Sequence, residues 1–147
     1  MIGSSTASVR INIREISPHG IVFEKKYVRA AMRILGGEVQ AEARKLVARP
    51  SVSQPGDYPG KKTGRLQKAI KYQVSKPGFL VIIAPMDKTG LFKKNQFYPA
   101  FLNYGANRKR GGKLAPRANY MADALAAKSD RVRSVLRSAI EKALHAA

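Results

Sequence analysis

The amphipathic segment from about Glu24 to Ala48 constrains the fold more than any other part of the chain. Its apolar residues recur at the spacing of one helix face: Tyr27, Ala31, Ile34, Leu35, Val39, Ala43 and Leu46. The opposite face carries Arg29, Arg33, Gln40 and Arg44. Gly36-Gly37 lies inside the segment, where each glycine costs about 1 kcal/mol relative to alanine. We therefore expect a long helix that either bends at this pair or meets another backbone closely.

Strand patterns lie on both sides of this helix. Residues 8–16 alternate apolar Val9, Ile11 and Ile13 with polar neighbours, which predicts a half-buried strand. Residues 70–84 alternate up to the turn Lys76-Pro77-Gly78 and then run as FLVIIA, which predicts a hairpin. The proline-rich stretch 49–62 is a long loop, and Thr63 is placed to cap a short helix through about Ala69.

The last third of the chain is predicted to be mainly helical. FYPAFLNYG (97–105) has Pro99 near its start and Gly105 at its end, as a short helix would. Residues 106–116 are predicted to form a flexible basic loop, and the remainder follows a helical stripe in which Ser129-Asp130 either caps a separate helix or lies within one. The expected fold is α+β in a single domain, 1–147: a small, mainly antiparallel sheet packed by one long helix, with C-terminal helices.

The charge of the chain is far from balanced. There are 28 Lys and Arg against 9 Asp and Glu, a formal net charge of +19. Between Lys61 and Arg117 the basic residues number fourteen and Asp87 is the single acid. A block of one sign favours a surface that faces nucleic acid, although general solubility would also account for it.

Catalytic and nucleotide-binding patterns are missing from the sequence. In the stretch GDYPGKKTGRL, three residues rather than four separate Gly56 from Gly60, and Lys61 is followed by Lys62 rather than by serine or threonine, so the stretch departs from a phosphate-binding loop. The chain has no cysteine, only two histidines, and no metal-ligand spacing among its acids. We expect no cofactor, no metal and no enzymatic activity, and neither a membrane span nor a secretory signal.

Several motifs in order resemble a known family. The amphipathic helix ends EARKLVA and is followed by KTGRLQKAI, a hairpin, FYPAFLNYG, a basic Gly-rich loop, and a helix that opens APRANYMADAL. This arrangement, over about residues 25–145, resembles the tail-completion (head-to-tail joining) proteins of tailed bacteriophages and prophages. The resemblance implies a structural, non-enzymatic virion protein of the neck: a ring, expected to be a hexamer, around the channel that DNA traverses. It also implies assembly in the host cytoplasm and contacts with neighbouring neck and tail proteins.

Two groups of residues are the candidates for function. Basic loops predicted to face DNA, without sequence preference, or an acidic partner contain Lys61, Lys62, Arg65, Lys68, Arg108, Lys109, Arg110 and Lys113. Core packing or a subunit contact is predicted for Tyr98, Phe101, Leu102 and Tyr104. The alternative function is a standalone nucleic-acid-binding protein without sequence specificity, which would need only enough apolar surface for its own core.

Overall fold

The structure, a computed structural model, describes residues 8–12, 21–50, 52–87, 98–107 and 111–146. It confirms the α+β class, with a long helix packed on a small antiparallel sheet and further helices at the C-terminal end. In chain order the elements are β1 Val9–Asn12, β2 Ile21–Phe23, α1 Lys25–Leu46, α2 Arg65–Ala69, β3 Ile70–Val74, β4 Leu80–Pro85, α3 Tyr98–Tyr104, β5 Ala106–Asn107, β6 Lys113–Leu114, α4 Tyr120–Ala127, α5 Ser129–Ala143 and β7 Leu144–Ala146.

The central sheet has the strand order β1-β4-β3, and both pairings are antiparallel. The predicted hairpin is confirmed: Tyr72 lies opposite Ile83, and Gly78 closes the turn with a φ of 87°. On the other edge of β4, Ile11 pairs with Val81. The predicted first strand is therefore confirmed for its described part, whereas residues 13–16 lie outside the described residues.

Helix α1 covers one face of this sheet, and its buried side forms much of the core. Val28, Met32, Leu35 and Val39 have no exposed surface. They pack in one cluster with the sheet and with residues of the C-terminal helices. The predicted apolar stripe was wrong at two positions, because Tyr27 is 38% and Ile34 53% exposed. Val28 and Met32, which the predicted stripe did not include, are buried in the core.

The glycine pair in α1 accommodates a side chain rather than a backbone. A Cβ at Gly36 would lie 2.6 Å from Cδ2 of Tyr72 and 3.0 Å from a methyl carbon of Val81. Gly37 is open by comparison, since its nearest such neighbour is Cε1 of Tyr72 at 4.0 Å. Only Gly36 is therefore required by packing, and the close approach comes from the ring of Tyr72.

The short helix α2 begins without the predicted cap. Its N-cap is Gly64, in the left-handed region with a φ of 72°, and no side chain caps the first turn. The prediction for Thr63 was wrong because the chain enters the helix through a positive φ, which glycine adopts at little cost. Leu66 and Ile70 are buried and pack in the core.

The C-terminal region forms two helices rather than one. Asn119 caps α4, where its side-chain oxygen accepts a hydrogen bond from the Ala122 amide at 3.1 Å. Lys128 separates α4 from α5, and neither Ser129 nor Asp130 acts as the cap. The chain then ends in β7, which pairs with β2 and places Phe23 opposite Leu144. None of the described helices combines the length and the apolar character needed to cross a bilayer.

The segment 106–116 is more ordered than a flexible loop. Its ends form the two-stranded ladder β5–β6, with Ala106 opposite Leu114. Gly105 ends α3 as expected, with a φ of 75°, and a Cβ there would lie 2.5 Å from the carbonyl oxygen of Leu114. The prediction of a flexible loop was wrong at these ends, while residues 108–110 lie outside the described residues.

Candidate polyanion-binding surface

The long loop between α1 and α2 has a fixed shape. The Lys61 amide donates to the carbonyl oxygen of Arg49 at 2.7 Å, which draws the two ends of the loop together. Near its tip, the Gln54 amide donates to Oδ2 of Asp57 at 3.2 Å. Asp57 is thus a turn residue, in agreement with its sequence context.

The segment that precedes α4 fastens this loop to the rest of the protein. The Ala118 amide donates to the carbonyl oxygen of Asp57 at 3.0 Å, and the Arg117 amide donates to that of Leu102 at 2.7 Å. The Arg117 side chain reaches the loop as well, because its Nε donates to Oγ of Ser53 at 2.9 Å. Arg117 therefore connects the loop, α3 and the approach to α4.

Tyr58 supplies a further attachment. Its hydroxyl donates to Oδ2 of Asp123 on α4 at 2.8 Å. This hydrogen bond to a carboxylate, helped by desolvation, raises the pKa of the Tyr58 phenol above its ordinary value. The phenol is neutral at physiological pH, so the contact is a hydrogen bond to an ionised group and holds the loop against α4.

Two adjoining clefts open beside the fastened loop, and we refer to them as the basic clefts. The first, of about 270 Å³, has Val47, Leu66 and Leu102 among its apolar lining, together with Lys61, Lys62, Arg65 and neighbouring loop residues. The second, of about 340 Å³, shares Lys61 and Lys62 with the first and adds Arg117. No acidic side chain lines either cleft. Four cationic side chains therefore line the two clefts, and Lys61 and Lys62 line both of them.

Several acidic residues of the chain are paired elsewhere. Oε1 of Glu38 on α1 lies 3.4 Å from Nη2 of Arg131 on α5, and Oε2 of Glu42 lies 3.7 Å from Nζ of Lys128. These pairs belong to the packing of α1 against the C-terminal helices. They neutralise charge where α1 meets the C-terminal helices. At the basic clefts, by contrast, no lining side chain offsets the positive charge.

The structure brings some of the predicted basic residues together and separates others. Lys61, Lys62 and Arg65 line the basic clefts, and Lys68 is exposed three residues further along α2. Lys113 is exposed on β6 and lines neither cleft. Arg108, Lys109 and Arg110 lie outside the described residues. The sequence reasoning missed Arg117, whose position after Pro116 at the entrance to the last helices was the available signal.

The predicted aromatic contacts divide between core and surface. Leu102 packs against the core from α3, as the core interpretation requires. Phe101 is 45% and Tyr104 58% exposed, so core packing does not describe them and subunit contact stays a prediction. Tyr98 begins α3, and its side chain lies outside the described part of the structure. Helix α3 therefore contributes Leu102 to the first basic cleft and carries two exposed aromatic side chains, neither of which lines that cleft.

The described residues contain no group of three or more His, Cys, Asp or Glu arranged to hold a metal ion. The chemistry available at the basic clefts is the binding of anions by Lys and Arg side chains. No family model, curated protein or solved structure matches this chain.

Proposed function

We propose that this protein is a non-enzymatic structural component of a bacteriophage neck, which joins the DNA-filled head to the tail as a ring of identical subunits around the DNA channel. One observation supports the proposal: the protein has both a basic surface, which suits a polyanion, and an exposed aromatic surface on α3, which suits a protein neighbour. Lys61, Lys62 and Arg65 line the first surface, and Phe101 and Tyr104 are exposed on the second. The order of sequence motifs that resembles the tail-completion proteins supports the same role.

In this role the basic clefts contact the phosphates of DNA in the channel. Contacts to phosphate position a protein on DNA without reading the sequence, and a channel that passes an entire genome requires this property. The loop that carries Lys61 and Lys62 is tied down by hydrogen bonds from Ala118 and Arg117. The backbone that carries the two lysines is therefore held in place, and less backbone conformational entropy is lost when phosphates bind.

The exposed aromatic residues of α3 provide the contact between subunits. Aromatic side chains supply large apolar area at an interface, and Phe101 and Tyr104 project from the same short helix. A net charge of +19 opposes the association of identical chains. Ring formation therefore depends on DNA, a neighbouring acidic ring or added salt to screen the repulsion.

The test is the solution mass of the purified protein, measured by light scattering across a salt series with and without short random-sequence duplex DNA. Two double variants separate the surfaces: K61Q/K62Q removes charge from the clefts, and F101S/Y104S removes the aromatic surface. The matched control is R133Q/R137Q, which removes the same charge from exposed positions on α5.

We expect a closed oligomer for the wild type and the control, loss of the oligomer in F101S/Y104S, and loss of DNA binding in K61Q/K62Q. A monomer that binds DNA tightly, with an affinity that falls steeply as salt rises, would replace the ring proposal with the alternative of a standalone nucleic-acid-binding protein. Equal DNA affinity in K61Q/K62Q and the control would show that the basic clefts are not the DNA contact.

A further inference from the structure

Strand β3 has one unpaired edge among the described residues. Its partner β4 lies on one side only, at the end of the strand order β1-β4-β3. The Ser75 amide donates to the carbonyl oxygen of Leu80, and the Met86 amide donates to that of Ala69. Because backbone groups in an antiparallel pair alternate in direction, residues 69, 71, 73 and 75 direct their hydrogen bonds to β4. The alternate residues Tyr72 and Val74 consequently direct their N–H and C=O groups to the open edge.

Helix α1 runs alongside this edge, and its side chains donate hydrogen bonds to backbone carbonyl groups at both ends of the edge, which we call the closed ends. At one end the Arg29 side chain donates to the carbonyl oxygen of Lys76. At the other, Gln40 Nε2 donates to the carbonyl oxygen of Ile70 at 2.8 Å, and Arg44 donates to the same oxygen. The helix rises about 22 Å from Arg29 to Arg44. The strand extends about 20 Å from Ile70 to Lys76, so the two elements match in length.

The middle of the edge is left open. Arg33 and Gly37 follow Arg29 at helical spacing and precede Gln40, and Gly37 leaves space beside the Tyr72 ring. A shallow cleft of about 540 Å³ lies here, lined by Arg29, Arg33, Tyr72, Val74, Ser75 and Lys76. Three of these six side chains are cationic and none is acidic. Arg33 is exposed and forms no ion pair within the described part of the chain.

We propose that the open edge at Tyr72–Val74 binds an extended, acidic segment of a different protein by strand addition. An added strand would pair with two N–H and two C=O groups of the edge, and every second side chain would face α1. Carboxylates at those positions meet Arg29, Arg33 and Lys76. The proposal goes beyond the ring function and holds for a monomer as well.

The chemistry of the edge argues against two other occupants. A second copy of this chain would bring another +19 charge to a cationic cleft. Nucleic acid phosphates accept hydrogen bonds but do not donate them, so they would leave the carbonyl groups of Tyr72 and Val74 without partners. An acidic polypeptide supplies donors, acceptors and negative charge together.

Amide hydrogen exchange and ¹H–¹⁵N NMR of the full chain test the proposal. The probe is the acetylated and amidated peptide TVEVEVT, with TVKVKVT and an N-methylated TVEVEVT that cannot pair as a strand for comparison. R33E reverses the charge beside the edge, and R137E makes the same change on the exposed face of α5. Short duplex DNA serves as a competitor.

We expect the Tyr72 and Val74 amides to exchange rapidly in the free protein and slowly with TVEVEVT. R33E should weaken binding about tenfold, whereas R137E should leave it within about twofold. Neither the lysine peptide nor the N-methylated peptide should protect these amides. The proposal is overturned if both amides are already protected in the free protein, if the N-methylated peptide binds equally well, or if duplex DNA shifts the same resonances and displaces the peptide.

Discussion

A Cβ added at Gly36 would lie 2.6 Å from Cδ2 of the Tyr72 ring, and this close approach joins the middle of α1 to β3. The ring occupies the position that a side chain at Gly36 would take. This contact explains a glycine that helix propensity alone disfavours.

The two neighbouring glycines of α1 should respond to alanine in opposite directions. Gly37→Ala gains about 1 kcal/mol of helix propensity and meets nothing closer than 4.0 Å. Gly36→Ala gains the same propensity but displaces ring atoms, and overpacking of this kind costs about 1–3 kcal/mol. We expect denaturant unfolding to show G37A as more stable than the wild type and G36A as less stable. G36A as stable as G37A would contradict the packing argument.

Removing the two side chains that donate to the carbonyl oxygen of Ile70 should lower the free energy of unfolding non-additively. This oxygen accepts hydrogen bonds from both Gln40 and Arg44, at a residue with no exposed surface. Each single alanine variant leaves one donor and should cost about 0.5–1.5 kcal/mol, while Q40A/R44A leaves the oxygen without either and should cost more than the sum. Arg33→Ala, two helical turns before Gln40 on α1, should change the free energy of unfolding by less than about 0.5 kcal/mol. Strict additivity in urea titrations would argue against a shared acceptor.

Tyr58→Phe should loosen the long loop. Loss of the hydrogen bond to Asp123 should cost about 0.5–1 kcal/mol. The D123A variant should then make the further Y58F change nearly neutral, because the partner is already absent. Proteolysis within residues 49–62 should also become faster in Y58F than in the wild type.

The hydrogen bond between Tyr58 and Asp123 should make the free energy of unfolding depend on pH in the alkaline range. The pKa of Tyr58 is raised in the folded protein above its ordinary value of 10.0. The contribution of Tyr58 to the free energy of unfolding is therefore fully present below pH 10, and it is lost as the pH rises through the raised pKa of the folded protein. Thermal unfolding at several pH values should show the stability difference between wild type and Y58F shrinking above pH 10. A difference that grows with pH in this range would oppose the assigned hydrogen bond.

Self-association should increase with salt in the absence of DNA. The Debye length falls from about 10 Å at 0.1 M salt to about 3 Å at 1 M, which screens the repulsion between chains of +19 charge. Sedimentation velocity should show monomer at low salt and larger species at high salt. K61Q/K62Q/R65Q, which lowers the charge of each chain, should associate at lower salt than the wild type. Stable hexamers of the free protein at very low salt would be the contrary result.

The basic clefts were partly visible in the sequence. Lys61, Lys62 and Arg65 are neighbours along the chain, so their proximity follows from local sequence alone. Arg117 joins them through a hydrogen bond to Ser53, a residue 64 positions away, and nothing in a sequence pattern specifies that contact. For the same reason, the attachment of the loop to the residues before α4 was not foreseen.

Local periodicity in the sequence was enough to predict α1, the β3–β4 hairpin, the short helix α3 and, from these, the α+β class. These follow from apolar residues at spacings of 3.6 and 2.0, which local geometry turns into buried faces. The tertiary structure was needed to show that Val28 and Met32 of α1 are buried while Tyr27 and Ile34 are exposed. It was also needed for the pairing of β1 with β4, the pairing of β7 with β2, and the hydrogen bonds from Arg29, Gln40 and Arg44 to the edge of β3. Each of these joins residues that are distant in sequence, and their pairing depends on how helix and sheet pack together rather than on any local preference.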